Sequence, residues 1–90
     1  DEIIAFDALN GIEKWRNSSF KFRKISELIF IGNNIYFGDL EGYLHKLNAQ
    51  TGETIGQQAT ELEEIVQIEA RSGRLIAQDS SGSLSAFDLN

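Results

Sequence analysis

The chain contains no cysteine and no proline, a single histidine and a single tryptophan, and only 8 basic residues against 14 acidic ones. Without Cys there is no disulfide framework and no thiolate metal site, although this does not separate a reducing from an oxidising compartment. One histidine, His45, cannot supply a His-based metal cluster or a site that needs two imidazoles. The net charge of −6 argues against general affinity for nucleic acid or anionic lipid. Leu28-Ile29-Phe30-Ile31 is the longest apolar run, far below the roughly 20 residues of a membrane helix. Asp1-Glu2-Ile3 shows no signal-peptide pattern, as expected of a chain that begins inside a repeat. With no proline, no low-complexity run, 41% hydrophobic and 24% charged residues, the composition is that of ordered globular protein.

What is present is one phrase written three times: Ile4-Ala5-Phe6-Asp7-Ala8-Leu9-Asn10-Gly11, Leu44-His45-Lys46-Leu47-Asn48-Ala49-Gln50-Thr51-Gly52 and Leu84-Ser85-Ala86-Phe87-Asp88-Leu89-Asn90. Gly11 and Gly52 lie 41 positions apart, and Leu44 and Leu84 lie 40 apart. A period of roughly 40 to 45 residues, carried by strand-like segments with Gly and Asp turns, is that of a β-propeller blade. The expected fold is therefore all-β: a propeller fragment of four-stranded antiparallel blades. A 90-residue chain buries only about 60 to 65% of its unfolded surface. Blades also hide their faces against one another, so these few need neighbours.

Aligning the copies on their Gly and Asp residues predicts strands at 26–31, 35–38, 43–48 and 53–58 in the middle copy. Their turns are Gly32-Asn33-Asn34, Asp39-Leu40-Glu41-Gly42 and Ala49-Gln50-Thr51-Gly52. The last copy gives strands at 65–71, 74–78 and 83–88, and the first gives 2–7 and 11–16. The inventory is two strands, four, then three, in one propeller domain with blade portions at about 1–18, 25–58 and 62–90. Ile29-Phe30-Ile31 and Ile35-Tyr36-Phe37 are apolar at consecutive positions, which suits strands covered on both faces. A helix opened by Thr60, with Glu63 in capping-box position, competes for the segment 60–70. The strand reading of 65–70 is preferred because 27–30 occupies the equivalent place in the middle copy.

Ala5-Phe6-Asp7-Ala8-Leu9-Asn10-Gly11-Ile12-Glu13-Lys14-Trp15 resembles the repeat of quinoprotein-type propellers, an Ala-Leu-Asp-Ala core followed by Gly and, four residues later, Trp. Asp7 can accept N–H bonds in its turn, Gly11 can take positive φ, and Trp15 can lie flat between blades. More particularly, Gly38-Asp39-Leu40-Glu41-Gly42-Tyr43-Leu44-His45 and the phrase ending at Gly52 resemble the C-terminal part of the BamB family of propeller lipoproteins. The sequence departs from the repeat at Gly56, where Trp would stand, and at 71–78, where the second strand is diluted.

The resemblance implies a non-catalytic, eight-bladed scaffold at the periplasmic face of a Gram-negative outer membrane, held by a lipid anchor upstream of this chain. It implies no cofactor, and as partners the BamA periplasmic domains, the rest of the BAM complex and unfolded outer-membrane proteins. The family's BamA-contacting loops fall upstream of Asp1, so none carries over. The last blade would borrow its missing outer strand from the N-terminal part of the polypeptide. The other function class is a fragment of a quinone-cofactor dehydrogenase of the PQQ type, which would need Ca²⁺ and carboxylate ligands in a central funnel.

The expected structural motif residues are Asp7, Gly11, Trp15, Asp39, Gly42, Asn48, Gly52, Asp79, Gly82 and Asp88. Catalytic, cofactor and metal residues are expected to be absent. His45 shares a strand with Leu44 and Leu47 and reads as a packing or rim residue. Asp39 with Glu41, and Asp79 with Ser80 and Ser81, are oxygen-rich but lack Ca²⁺-loop spacing. Glu63 and Glu64 would point to opposite faces of a strand. Lys14, Arg16, Lys21, Arg23 and Lys24 form a basic cluster around Trp15, Phe20 and Phe22. Phe20, Phe22 and Arg23 are thus candidate partner contacts, set against a reading in which the Phe rings tuck between blades. Open edges at 2–7 and 83–88 predict self-association or strand exchange.

Overall fold

A computed structural model describes residues 2–89. Nine strands run in chain order: β1 (Ile3–Phe6), β2 (Glu13–Asn17), β3 (Ile29–Ile31), β4 (Asn34–Gly38), β5 (Tyr43–Asn48), β6 (Thr54–Ala59), β7 (Ile65–Arg71), β8 (Arg74–Asp79) and β9 (Leu84–Asp88). They form three antiparallel meanders, β1-β2, β3-β4-β5-β6 and β7-β8-β9. The two, four and three strands expected from the repeats are met. No helix occurs among the described residues, and so none is long and apolar enough to cross a membrane. Among the described residues, β1 and β9 each pair on one side only.

β4 and β5 are apolar on both faces, as consecutive hydrophobic positions demand, whereas β3, expected to be covered on both sides, leaves Phe30 66% exposed because no sheet packs on that side of it. Ile35, Phe37 and Leu47 turn one way and join Ile3 and Phe20 in a core cluster. Tyr36 and Leu44 turn the other way and join Ile65, Ile68, Leu75 and Ala77. Register fixes this division: Ile35 pairs with Leu47 and Phe37 with His45, while Gly38 pairs with Leu44. Two seams result, one between the first and second sheets and one between the second and third.

One strand is shorter than expected, and the helix that competed for 60–70 does not form. The strand expected at 26–31 is regular only over Ile29–Ile31. The Ser26 backbone N–H donates to the Gly38 carbonyl at 2.8 Å, but its hydroxyl accepts the Gly38 N–H at 2.9 Å, so a side chain replaces the ladder there. The segment 60–64 is neither helix nor strand. Thr60 donates both its N–H and its hydroxyl to the Gly42 carbonyl and accepts the Leu62 N–H, a turn tied to the neighbouring strand end rather than a helix cap.

Candidate functional site

The repeat motif residues build two kinds of turn. In the wider one, Asp7 Oδ1 accepts the N–H groups of Leu9 and Asn10, and the Gly11 N–H donates to the Asp7 carbonyl at 2.8 Å. Asn48 repeats this with Gln50, Thr51 and Gly52. In the tighter one, Asp39 Oδ1 accepts the N–H groups of Glu41 and Tyr43, and the Gly42 N–H donates to the Asp39 carbonyl. Asp79 repeats that with Ser81, Ser83 and Gly82. The side-chain oxygen satisfies backbone donors that a sharp reversal would otherwise strand. Asp88 lies at the exposed end of β9 and pairs with Arg74 at 3.3 Å.

The two Asp turns differ in what their second oxygen holds. Asp79 Oδ2 accepts the Glu63 N–H at 2.8 Å, tying the entry of β7 to its own sheet. Asp39 is fully enclosed, at 0% exposure, and its Oδ2 receives His45 Nε2 at 2.7 Å and Arg23 Nη1 at 3.3 Å. An ionised carboxylate only accepts, so Nε2 carries the proton. Burial alone would raise the Asp39 pKa, but the His45 hydrogen bond and the N–H groups of Tyr43 and Glu41 outweigh it and hold the carboxyl below its usual value. Asp79 is also held low, by the Glu63 N–H first and the Ser81 hydroxyl second.

His45 is 2% exposed and stacks on Phe37 at 5.1 Å between ring centroids, with Phe20 edge-on at 4.8 Å. Its Nδ1 has no hydrogen-bond partner among the described residues. The pair therefore lacks the nucleophile that would turn an imidazole and a carboxylate into a triad. It braces the β4–β5 turn from within the core. No group of three or more His, Cys, Asp or Glu among the described residues is placed to hold a metal ion.

The seams carry the clearest geometric contrast. In the first, Trp15 packs against the cluster of Ile35, Phe37 and Leu47, and its Nε1 donates to the Ala49 carbonyl at 2.9 Å. Its ring lies so close over Gly52 that a Cβ there would come within 2.3 Å of it. In the second, Gly56 occupies the position that Trp15 has in the repeat, and a cavity of about 290 Å³ opens between β6 and the third sheet.

No protein-family model matches the chain. It is 30% identical over 87 residues to the outer membrane protein assembly factor BamB of Moranella endobia, covering 97% of this chain and 22% of that protein. It is 30% identical over 88 residues to the same factor of Yersinia pestis, again over 97% of this chain and 22% of the relative. The crystal structure of BamB from Moraxella catarrhalis matches with a TM-score of 0.87 and 28% identity, covering 98% of this chain and 26% of that one. This is a BamB-like stretch of propeller. Its three sheets are BamB-like blade portions, and the chain spans about a fifth of the curated BamB relatives it matches, 22% in each case above.

Within this BamB-like frame, the connection from β2 to β3 separates the three candidate contact residues. Phe20 is 4% exposed and meets Phe37 edge-on at 4.8 Å, so it belongs to the first seam and offers no surface to a partner. A ring two residues further on, Phe22, is 93% exposed on a backbone with φ of 66°. Arg23 leans back onto Asp39 and Glu41, and its carbonyl accepts the Leu40 N–H. The basic cluster is largely matched from inside: Arg16 pairs with Glu2 and Glu13, and Lys24 with Glu64. Internal pairing weakens any steering field the cluster would project.

Proposed function

We propose that this chain is part of a non-catalytic BamB-type scaffold that acts in outer-membrane protein assembly, at the periplasmic face of a Gram-negative outer membrane. The observation that carries this reading is the match to BamB along nearly the whole chain, in sequence and in backbone path. The physical character of the residues agrees with it. The carboxylates of Asp7, Asp39 and Asp79 are engaged by the backbone donors of their own turns, and the one imidazole is enclosed among Phe20, Phe37 and Asp39. A stack of short sheets with such interiors presents loops and edges, the surfaces on which scaffolds dock partners.

In the same reading, the portions at about 1–18, 25–58 and 62–90 are consecutive parts of one propeller domain. The partners are the BamA periplasmic domains and the BAM complex, with unfolded outer-membrane proteins as clients. Of the three candidate contacts only Phe22 is displayed outward; a bulky residue held at positive φ is strained, and strain of this kind is kept where a side chain must be presented. Affinity purification of the full-length protein should co-isolate a BamA-type barrel protein, and deletion of its gene should lower outer-membrane barrel content. Recovery without such a partner, together with unchanged barrel content, would overturn the proposal. The open edges of β1 and β9 further predict that the isolated 90-residue chain self-associates or exchanges strands, which light scattering would detect.

A further inference from the structure

We propose that the cavity beside Gly56 is a docking seat for a tryptophan side chain presented by a partner polypeptide. The first seam shows what such a seat looks like when filled. There Trp15 packs on the cluster that holds the cross-strand pair Ile35 and Leu47, and its indole N–H meets the Ala49 carbonyl. Moving along the repeat, Ile35 and Leu47 become Leu75 and Phe87, again a cross-strand pair, Ala49 becomes Leu89, and Trp15 becomes Gly56. These four, Leu75, Phe87, Leu89 and Gly56, all line the cavity. The cross-strand pair and the carbonyl-bearing residue of the indole site are thus repeated with the indole itself deleted, while the counterpart of Gly52 falls beyond Asn90.

Nothing in the backbone requires glycine at 56. Six of the eight glycines have positive φ, and a Cβ on Gly38 would strike Ile65 at 2.3 Å. Gly56 has neither constraint: a Cβ there would make ordinary contact with Lys46 at 3.6 Å. Glycine inside a strand weakens it and marks either a bulge or a close approach; the bulge beside Gly56 recurs beside Trp15, which is no glycine, so the bulge does not account for it and close approach is left. The volume of about 290 Å³ lies at the bottom of the ligand-pocket range, roughly 300 Å³, and so suits one large side chain rather than an extended ligand. Lys46, whose Nζ lies 5.8 Å from the Tyr36 ring centroid, and the amides of Gln57 and Gln58 give the rim polar groups to meet the peptide that carries the indole. This proposal does not depend on the assembly role.

The test is a titration of isotope-labelled full-length protein with N-acetyltryptophanamide, followed by amide chemical shifts, with N-acetylalaninamide as control. Saturable shifts at Gly56, Leu75, Phe87 and Leu89 are expected with the indole compound alone. Gly56→Trp should fill the seat from within, weaken that binding by more than about tenfold and raise Tm. Gly56→Leu, a smaller plug, should act in the same direction and serves if the larger variant does not fold. The proposal is overturned if the shifts do not appear or persist undiminished in both variants. It is also overturned if another part of the full-length chain, whether beyond Asn90 or the borrowed outer strand beside β9, already fills the cavity, seen as contacts to Phe87 and Leu89 without any probe, or if a second copy does, seen as concentration-dependent broadening at the same resonances.

Discussion

The two seams of this molecule are built from the same repeat and solved differently. The first is closed by an aromatic plate: Trp15 lies on Gly52 and is pinned through its N–H to Ala49. The second is closed at the base by Ile65 against Gly38 and by the Ile65 N–H donating to the Asp39 carbonyl, and it stays open at Gly56. The second seam here is held by one well-filled zone where the first has two. Once Ile65, Ile68, Leu75 and Ala77 form a buried cluster against Tyr36 and Leu44, the outer part of the interface is released from packing duty.

The largest expected effect comes from emptying the first seam. Trp15→Ala in the full-length protein should cost about 3 kcal/mol, because a large aromatic and its hydrogen bond are both lost, and denaturant unfolding would measure it. Loss of less than half that would show that the two seams are equally tolerant of a missing plate. The same substitution at two glycines sharpens the contrast. Gly52→Ala should destabilise by about 1–3 kcal/mol, since φ is +77° and the new methyl group meets Trp15. Gly56→Ala should instead stabilise by roughly 0.5–1 kcal/mol, since a strand glycine loses more chain entropy than alanine. Paired thermal melts of the two variants check this, and equal signs would break the comparison.

The smallest effect is in acid. Asp39 and Asp79 both have folded-state pKa values below their unfolded ones, so the stability they contribute is fully present above the usual carboxylate value, about 4. It is lost as pH falls through the depressed folded values. Unfolding midpoints should therefore drop below about pH 4, and the drop should shrink in Asp79→Asn, whose amide oxygen still accepts from the turn but does not titrate in that range. An unchanged acid slope in that variant would show that other carboxylates govern it.

Much of the fold was legible because turn chemistry punctuates the chain. Asp39 with Gly42 opens β5 and Asn48 with Gly52 closes it, so the strand runs as expected at Tyr43–Asn48, and Ser72-Gly73 closes β7 at Arg71. β3 came out short because the Ser26 hydroxyl takes the place of a ladder partner, a choice that no hydrophobic pattern encodes. The fates of Phe20 and Phe22 were not legible either. Two aromatic residues in one basic loop read alike, and only the position of Phe37 and His45 across the seam decides which is swallowed. The pairing of His45 with Asp39 depends on the β4–β5 reversal folding the chain back on itself, and spacing alone does not announce it. Gly56 was visible as a departure from the repeat, but the hollow beside it needs the third sheet in place.

Phe20 has one more consequence. The tether between the first two sheets is anchored three residues after β2 ends, with the Phe20 ring packed against Phe37 while Phe22 stands two residues downstream in open solvent. That stretch cannot pay out slack like a hinge. If the sheets part, the anchor must be drawn from its socket first, so the strap and the stack it crosses come undone as a single event.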